Sequence, residues 1–228
     1  MAAPSLYINE IFSSIQGEST LAGLPCTFVR LSGCALRCNY CDTSYAFEKG
    51  EKVSLEHIVQ TVHELGNSLV EITGGEPLLQ KHVLDLMEQL CDVGFSVMLE
   101  TSGDRNISEC DARVHRIVDI KTPNSGASDS FLSSNFSCLC KKDEVKFVIT
   151  NRNDFDWSIA VVQDNNLLEV AGAVHFSPVM YQESNTMILG CQSLAPEELA
   201  QWILESGVPV RLQLQLHRYI WDPSTRGV

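Results

Sequence analysis

Apolar residues along this chain recur with two alternating periods, and the alternation predicts strands interleaved with helices. Thr27, Phe28 and Val29 mark residues 26–31 as a strand. From Leu55, the apolar positions Ile58, Val59, Val62 and Leu65 follow at helical spacing, with Ser54 placed to cap the start and Gly66 to stop the end. Residues 69–73 read as a strand. A helix is expected from Pro77, a residue suited to a first turn, with Val83, Leu86, Met87 and Leu90 on its apolar face and Gly94 at its end. Strands follow over 95–100 and 114–120. Residues 124–140 are polar and Ser-rich and read as loop. The order then continues as strand 145–149, helix 157–162, strand 171–176, helix 196–205 and a final strand 208–217.

Strands separated by helices pair in parallel through right-handed crossovers, and such sheets place ligands at the carboxyl ends of their strands. In the expected last strand, Val210, Leu212, Leu214 and Leu216 share one face and Arg211, Gln213, Gln215 and His217 the other. A polar face on a strand between helices is suited to lining a cavity. No repeat, low-complexity tract or long linker divides the chain, so residues 1–228 are expected to form a single domain.

Charge and cysteine content narrow the function. The 228 residues carry 16 basic and 29 acidic side chains, a net charge of −13, which argues against nonspecific nucleic-acid binding. No stretch has the length and apolarity of a membrane span, and residues 1–10 lack the basic-then-apolar build of a signal peptide. A cytoplasmic location is expected, and in that reducing compartment nine cysteines point to metal or redox chemistry before disulfides.

Three of those cysteines, Cys34, Cys38 and Cys41, stand on one short segment with the spacing C-x₃-C-x₂-C. Three thiolates on such a loop hold three corners of a [4Fe–4S] cubane and leave the fourth iron open to a ligand. The alternatives are a zinc site, which wants a fourth ligand at matching spacing, or unliganded thiols. Cys26 lies nearby but inside an expected strand, and is read as core. After the next strand, Gly74-Gly75-Glu76-Pro77 would let the backbone approach a ligand closely. By itself it is an ordinary strand-to-helix turn.

The cysteine loop followed by this glycine pair resembles the radical S-adenosylmethionine (SAM) superfamily. That resemblance implies a partial, TIM-like β/α barrel of parallel strands. It also implies a SAM molecule chelated to the open iron, whose reductive cleavage yields a 5′-deoxyadenosyl radical. Tyr40, Asp42, Gly75, Glu76, Ser102, Lys121, Phe176 and Pro178 fall at the positions it assigns to SAM.

Further segments narrow the resemblance. Residues 10–18 (EIFSSIQGE), 28–34 (FVRLSGC), 41–46 (CDTSYA) and 213–219 (QLQLHRY), in this order, resemble the 7-carboxy-7-deazaguanine synthase family from about Ile8 to the end. The family's reaction converts 6-carboxy-5,6,7,8-tetrahydropterin to 7-carboxy-7-deazaguanine with loss of ammonia, for queuosine and other deazapurines. SAM is regenerated and Mg²⁺ assists. The resemblance implies that Thr43 ligates Mg²⁺ and that residues 8–25 form a substrate-binding segment. It places Ile15, Gln16, Gly17, Glu18, Arg30, Thr73, His217 and the terminal Val228 around the substrate, with Arg30 suited to the carboxylate and Glu18 to ring N–H groups. It also implies a homodimer and an electron donor of the flavodoxin or ferredoxin type.

Residues 124–142 match no family element and are taken as an irregular insertion. Cys138 and Cys140 within it, and Cys91, Cys110 and Cys191 elsewhere, have no partners at metal-ligand spacing. Two other readings stay open at this point: a glycyl-radical activating enzyme, which shares the cysteine spacing, and a noncatalytic zinc or iron–sulfur module.

Overall fold

The computed structural model describes residues 3–222 and 225–228. Its frame is one nine-stranded sheet in the order β3-β1-β2-β4-β5-β6-β7-β8-β9. The strands are β1 (Ser5–Ile15), β2 (Pro25–Leu31), β3 (Glu51–Ser54), β4 (Leu69–Gly74), β5 (Ser96–Thr101), β6 (His115–Asp119), β7 (Glu144–Ile149), β8 (Ala173–Pro178) and β9 (Arg211–Leu212). From β2 to β9 every neighbouring pair is parallel. β1 runs antiparallel to both β2 and β3. Together with the covering helices, the parallel run gives the expected partial β/α barrel.

The helices are α1 (Leu55–Leu65), α2 (Val83–Asp92), α3 (Arg152–Asp164), α4 (Leu167–Val170), α5 (Pro196–Ser206) and α6 (His217–Ile220). α1 begins and ends where its sequence dictates: the Ser54 hydroxyl accepts from the His57 amide at 3.3 Å, and Gly66 takes a left-handed φ of 77°. Leu55, Ile58 and Val62 of α1 and Val83, Leu86, Met87 and Leu90 of α2 join one core on the outer face of the sheet. A second core gathers Phe147, Phe155 and Phe176, whose rings meet edge-on at 5.4 and 5.6 Å. Each such buried side chain contributes roughly 1.5–3 kcal/mol. The apolar stripes of the helices therefore pack on the outer face, while the inner face carries polar groups toward the carboxyl ends and a small apolar cluster of Cys26, Leu69, Met98 and Ile117 toward the other end. Among the described residues no helix is long and apolar enough to cross a membrane.

Three expectations are corrected. Residues 5–15 form a strand that the pattern did not announce, because a register irregularity between Ile8 and Glu10 interrupts the two-residue period. The helix expected from Pro77 is broken: residues 77–79 make a single tight turn, and Gln80 is extended. The Gln80 side chain accepts from the Tyr7 amide (2.7 Å) and donates to the carbonyls of Tyr7 (2.9 Å) and Ser32 (3.0 Å), so it ties β1 to β2 instead of continuing a helix. The final strand is only two residues long, and both Arg211 and Leu212 are exposed. Past it the chain turns away, because the Leu216 amide donates to the carbonyl of Gly17 at 3.0 Å and α6 starts at His217. The alternating-face pattern read over 208–217 therefore does not describe a strand.

The sheet does not close by strand pairing, since its edges are β3 and β9. Residues 16–24, the tip of the β1–β2 hairpin, cross to the chain just beyond β9. Besides the Gly17–Leu216 bond, Gln215 donates through its side-chain amide to Glu18 at 2.9 Å. The insertion is fixed as well. Asn135, fully buried, donates to the carbonyls of Gly103 (2.9 Å) and Arg105 (2.8 Å) and accepts from the Ile107 amide (3.2 Å). Arg116 donates to the Asp143 carboxylate at 2.9 and 2.5 Å and to the carbonyl of Cys138 at 2.8 Å.

That buried pair yields a stability prediction. Burial would raise the Asp143 carboxyl, but the Arg116 guanidinium more than offsets it and holds the group below its ordinary 3.8. A depressed carboxyl stabilises the fold above its unfolded pKa, and the contribution is lost as pH falls through the folded value. At pH 7, Asp143→Ala should lower the unfolding free energy by about 3 kcal/mol, because a buried cation is left unpaired. In urea titrations the gap from the parent protein should narrow below the ordinary aspartate range; a gap independent of pH would refute the assignment.

Candidate active site

The carboxyl ends of the parallel strands open into one cavity. Cys34, Cys38, Tyr40, Cys41, Asp42 and Thr43 line it from the loop after β2. Thr73, Gly74 and Gly75 line it from the end of β4, Ser102 from the end of β5 and Lys121 from the end of β6. Ile15, Gln16, Gly17 and Glu18 of the hairpin, Arg30 of β2, His217 and Val228 also line it. Residues far apart in sequence, expected separately for cluster, SAM and substrate, thus share one space.

Three expected residues do not line it. Glu76 is fully buried, and its carboxylate accepts from Thr101 Oγ1 (2.8 Å), the Ser102 amide (2.8 Å), Ser102 Oγ (2.7 Å) and the Leu78 amide (3.1 Å). It clamps the end of β4 to the end of β5, which leaves the neighbouring glycines to meet a ligand. Phe176 belongs to the aromatic core under α3, because its position in β8 points outward to the helices. Pro178 ends β8, paired with Ile149, and is buried outside the cavity wall.

The cysteine loop is built to hold something. All three thiols are free, and burial pushes each of them up, Cys41 to about 12. A metal centre that deprotonates them would reverse that penalty. Among the described residues no three His, Cys, Asp or Glu side chains converge on a single ion's position. The thiolates of a cubane bind different irons and need no such convergence. Gly75 packs so tightly on this loop that a Cβ there would meet the Gly33 carbonyl oxygen at 2.2 Å and the Cys34 Cβ at 2.9 Å. The insertion supports the other side: the Asn39 amide donates to the Ser125 carbonyl and its side chain to the Asn124 carbonyl, each at 2.9 Å. The segment that matched no family element therefore braces the cluster loop. Cys26, as expected, is core within β2.

Charges inside the cavity are arranged around Lys146, a residue the sequence reading did not single out. Its ammonium lies 2.6 Å from Glu18, 2.7 Å from Glu100 and 3.5 Å from Asp119, and Lys121 lies 2.9 Å from the same Asp119 carboxylate. Burial would lower the Lys146 ammonium, but Glu100, Glu18 and Asp119 hold it well above its usual value. Glu71 is also in the wall, accepts from the Gln16 side chain, and is pushed up to about 8 by burial and by Glu100. The signal for both was present in sequence: Glu71 and Lys146 interrupt otherwise apolar runs in central strands (LVEI, VKFVI). A charge there is expensive unless it faces a polar interior.

The remaining residues are oriented with equal care. Arg30 donates through Nε to Glu10 at 2.7 Å, and Tyr45 donates to the same oxygen at 2.8 Å. The guanidinium also lies over the rings of Phe12 and Tyr45, at 5.6 and 5.9 Å. Thr43 donates to Asp42 at 2.9 Å. Asp42 is exposed in the cavity wall, and His217, Thr43, Lys146 and Arg30 hold its carboxyl below the ordinary range. Gly17 is needed where it stands, since a Cβ would fall 2.3 Å from His217 Nδ1.

Residues 28–122 match the family model of the radical SAM superfamily. The chain is 42% identical to 7-carboxy-7-deazaguanine synthase of Koribacter versatilis, over 98% of this chain and 100% of that protein. It is also 42% identical to the enzyme of that name from Chlorobaculum tepidum, over 98% and 97%. Among solved structures, QueE from Escherichia coli superposes with a TM-score of 0.73 at 24% identity, covering 93% of this chain and 95% of that one, which supports the fold. With its cysteine loop, its glycine turn and its hairpin wall in one cavity, this chain belongs to the 7-carboxy-7-deazaguanine synthase family of radical SAM enzymes.

Proposed function

We propose that this enzyme converts 6-carboxy-5,6,7,8-tetrahydropterin to 7-carboxy-7-deazaguanine with loss of ammonia, using one [4Fe–4S] cluster, SAM and Mg²⁺. The observation that carries the reading is the shared cavity: the three cysteines of the cluster loop face the hairpin residues Gln16–Glu18, Arg30 and His217. When bound, the cluster and SAM supply a carbon-centred radical that removes one hydrogen atom from the substrate.

The protein's own work is binding, orientation and charge placement. Arg30, steered by Glu10 and the two rings, offers its remaining N–H groups to the substrate carboxylate. Glu18, fixed by Lys146 and Gln215, accepts from the pterin edge beside the backbone of Ile15 and Gln16. His217 and Val228 close the site from the carboxyl-terminal side. The wall carries the carboxylates Glu18, Asp42, Glu100 and Asp119, with Glu71 pushed toward its neutral form, against the cations Arg30, Lys121 and Lys146. Asp42 and Thr43 offer the hard oxygens that suit Mg²⁺. Gly75, Tyr40, Asp42, Ser102 and Lys121 form the wall assigned to SAM. Residues 1–228 act as one cytoplasmic domain, as a homodimer, supplied with electrons by a flavodoxin or ferredoxin.

Anaerobically reconstituted protein, reduced and given SAM and the carboxytetrahydropterin, should release 7-carboxy-7-deazaguanine detectable by chromatography and mass spectrometry. Replacing Cys34, Cys38 and Cys41 by alanine should abolish both the cluster absorbance and the product. No product from cluster-loaded protein, with a glycyl radical formed on an added partner, would refute the reading.

Gly75→Ala tests the seat of the cluster loop. The added methyl must displace the Gly33 carbonyl and with it Cys34, and displacement of reacting groups by about 1 Å costs on the order of 100-fold in turnover. Turnover should fall by about that factor; unchanged turnover would contradict the packing.

A further inference from the structure

Beneath the cavity, at the opposite ends of the parallel strands, lies a second buried polar cluster apart from the cavity wall. Its centre is Glu144, the first residue of β7, with a side chain only 1% exposed. Two histidines from the neighbouring strands reach it: His115 Nε2 stands 2.8 Å from Oε1 and His175 Nε2 2.7 Å from Oε2. The other partner is not from the barrel. The Thr20 amide donates to both carboxylate oxygens at 3.1 Å, and the Thr20 hydroxyl donates to Oε1. Burial would raise this carboxyl, but the bonds from His115, His175 and Thr20 keep it well below the ordinary range. It is therefore a permanent anion, aimed at the hairpin tip.

Thr20 lies two residues beyond Glu18, and the intervening Ser19 has a φ of 67°, in the left-handed region that a residue with a Cβ seldom adopts. Such a conformation persists only where its surroundings over-determine it. On the near side of Ser19 the constraint is Glu18, whose side chain meets Gln215 and Lys146 and whose amide donates to Gln16 Oε1 at 3.0 Å. On the far side the only side chain from outside the hairpin that bonds Thr20, among the described residues, is Glu144. Beyond Ser19 the other hydrogen bonds of the tip, among the described residues, stay within the hairpin, as in the Gly23 amide to the Gln16 carbonyl and the Gln16 amide to the Leu24 carbonyl, each at 2.8 Å; before Ser19 the Gln16 side chain donates to Glu71 and the Gly17 carbonyl accepts from Leu216.

We propose that Glu144 is a positioning residue for the substrate: by latching Thr20 to the floor of the barrel, it fixes the strained turn at Ser19 and so sets where Glu18 stands in the cavity. His115 and His175 aim the carboxylate, and Gln213, 3.3 Å from His175 Nδ1, orients that second histidine. The latch touches neither the cluster loop nor the glycine turn. Its loss should loosen the pterin wall and leave the cluster and SAM end intact. The inference rests on the pterin reading only for the identity of what Glu18 meets.

The test uses Glu144→Gln, Thr20→Val and Thr20→Ser, each in reconstituted full-length enzyme. Glu144→Gln keeps the shape but removes the charge and half the acceptor capacity. Thr20→Val removes the hydroxyl donor at the partly exposed end, and decides the matter should Glu144→Gln fail to fold. Hydrogen exchange at the amides of residues 20 and 21 should accelerate in Glu144→Gln and Thr20→Val, and remain parental in Thr20→Ser. The KM for the carboxytetrahydropterin should rise about tenfold, as for the loss of a charge-assisted hydrogen bond, with kcat within about twofold. Cluster absorbance and SAM affinity should not change. Unchanged exchange in both variants, or faster exchange with an unchanged KM, would overturn the proposal, and so would an equal loss of cluster or SAM binding. If the parent enzyme fails to turn over the pterin while exchange responds as described, the latch stands and the substrate assignment fails.

Discussion

An open sheet has two edges, and this molecule joins the region near them with the tip of its first hairpin. β3 and β9 never pair. Instead residues 16–24 reach past β2 to bond Leu216 and Gln215 on one side and Glu144 beneath. That crossing converts a curved sheet into a chamber. It also decides what the chamber is lined with, because the crossing residues are the hairpin's own Gln16, Gly17 and Glu18. Backbone geometry permits the approach: Gly17 has no side chain to collide with His217.

Once the outer faces of the strands are given to helices, the inner faces carry charges that would be ruinous in an ordinary core. Lys146 is stable there because three carboxylates surround it, and Glu100 because Lys146 does. Breaking one member of such a network leaves the others unpaired and buried, which is costlier than exposing any one of them in water. The same network immobilises Glu18. Fold stability and substrate orientation therefore draw on the same bonds, and the interior is rigid where the chemistry needs it to be.

Much of this was readable from the chain. The cysteine spacing, the glycine turn, the α1 caps and the run of parallel strands stand in the structure as the pattern implies, since each depends on local rules. What escaped depends on distant partners. Gln80 leaves its helix for bonds to Tyr7 and Ser32, and residues 213–216 leave their strand for Gly17. Glu76 sits in the most recognisable turn of the chain, yet its carboxylate serves Thr101 and Ser102. Glu71, Lys146 and Glu144 were legible only as charges inside apolar strands, a signal that marks a polar interior without naming its use. The irregular segment after Lys121 had no periodicity to read, although Asn124, Ser125 and Asn135 give it a bracing role.

One chamber brings a site-differentiated cluster, SAM and the pterin within reach of one another. Electron paramagnetic resonance of the reduced, SAM-loaded enzyme addresses it directly, because the cluster signal reports on its immediate surroundings. Saturating 6-carboxy-5,6,7,8-tetrahydropterin should shift the g-values of that signal. A spectrum unmoved by a pterin shown to be bound would place the substrate elsewhere and contradict the account.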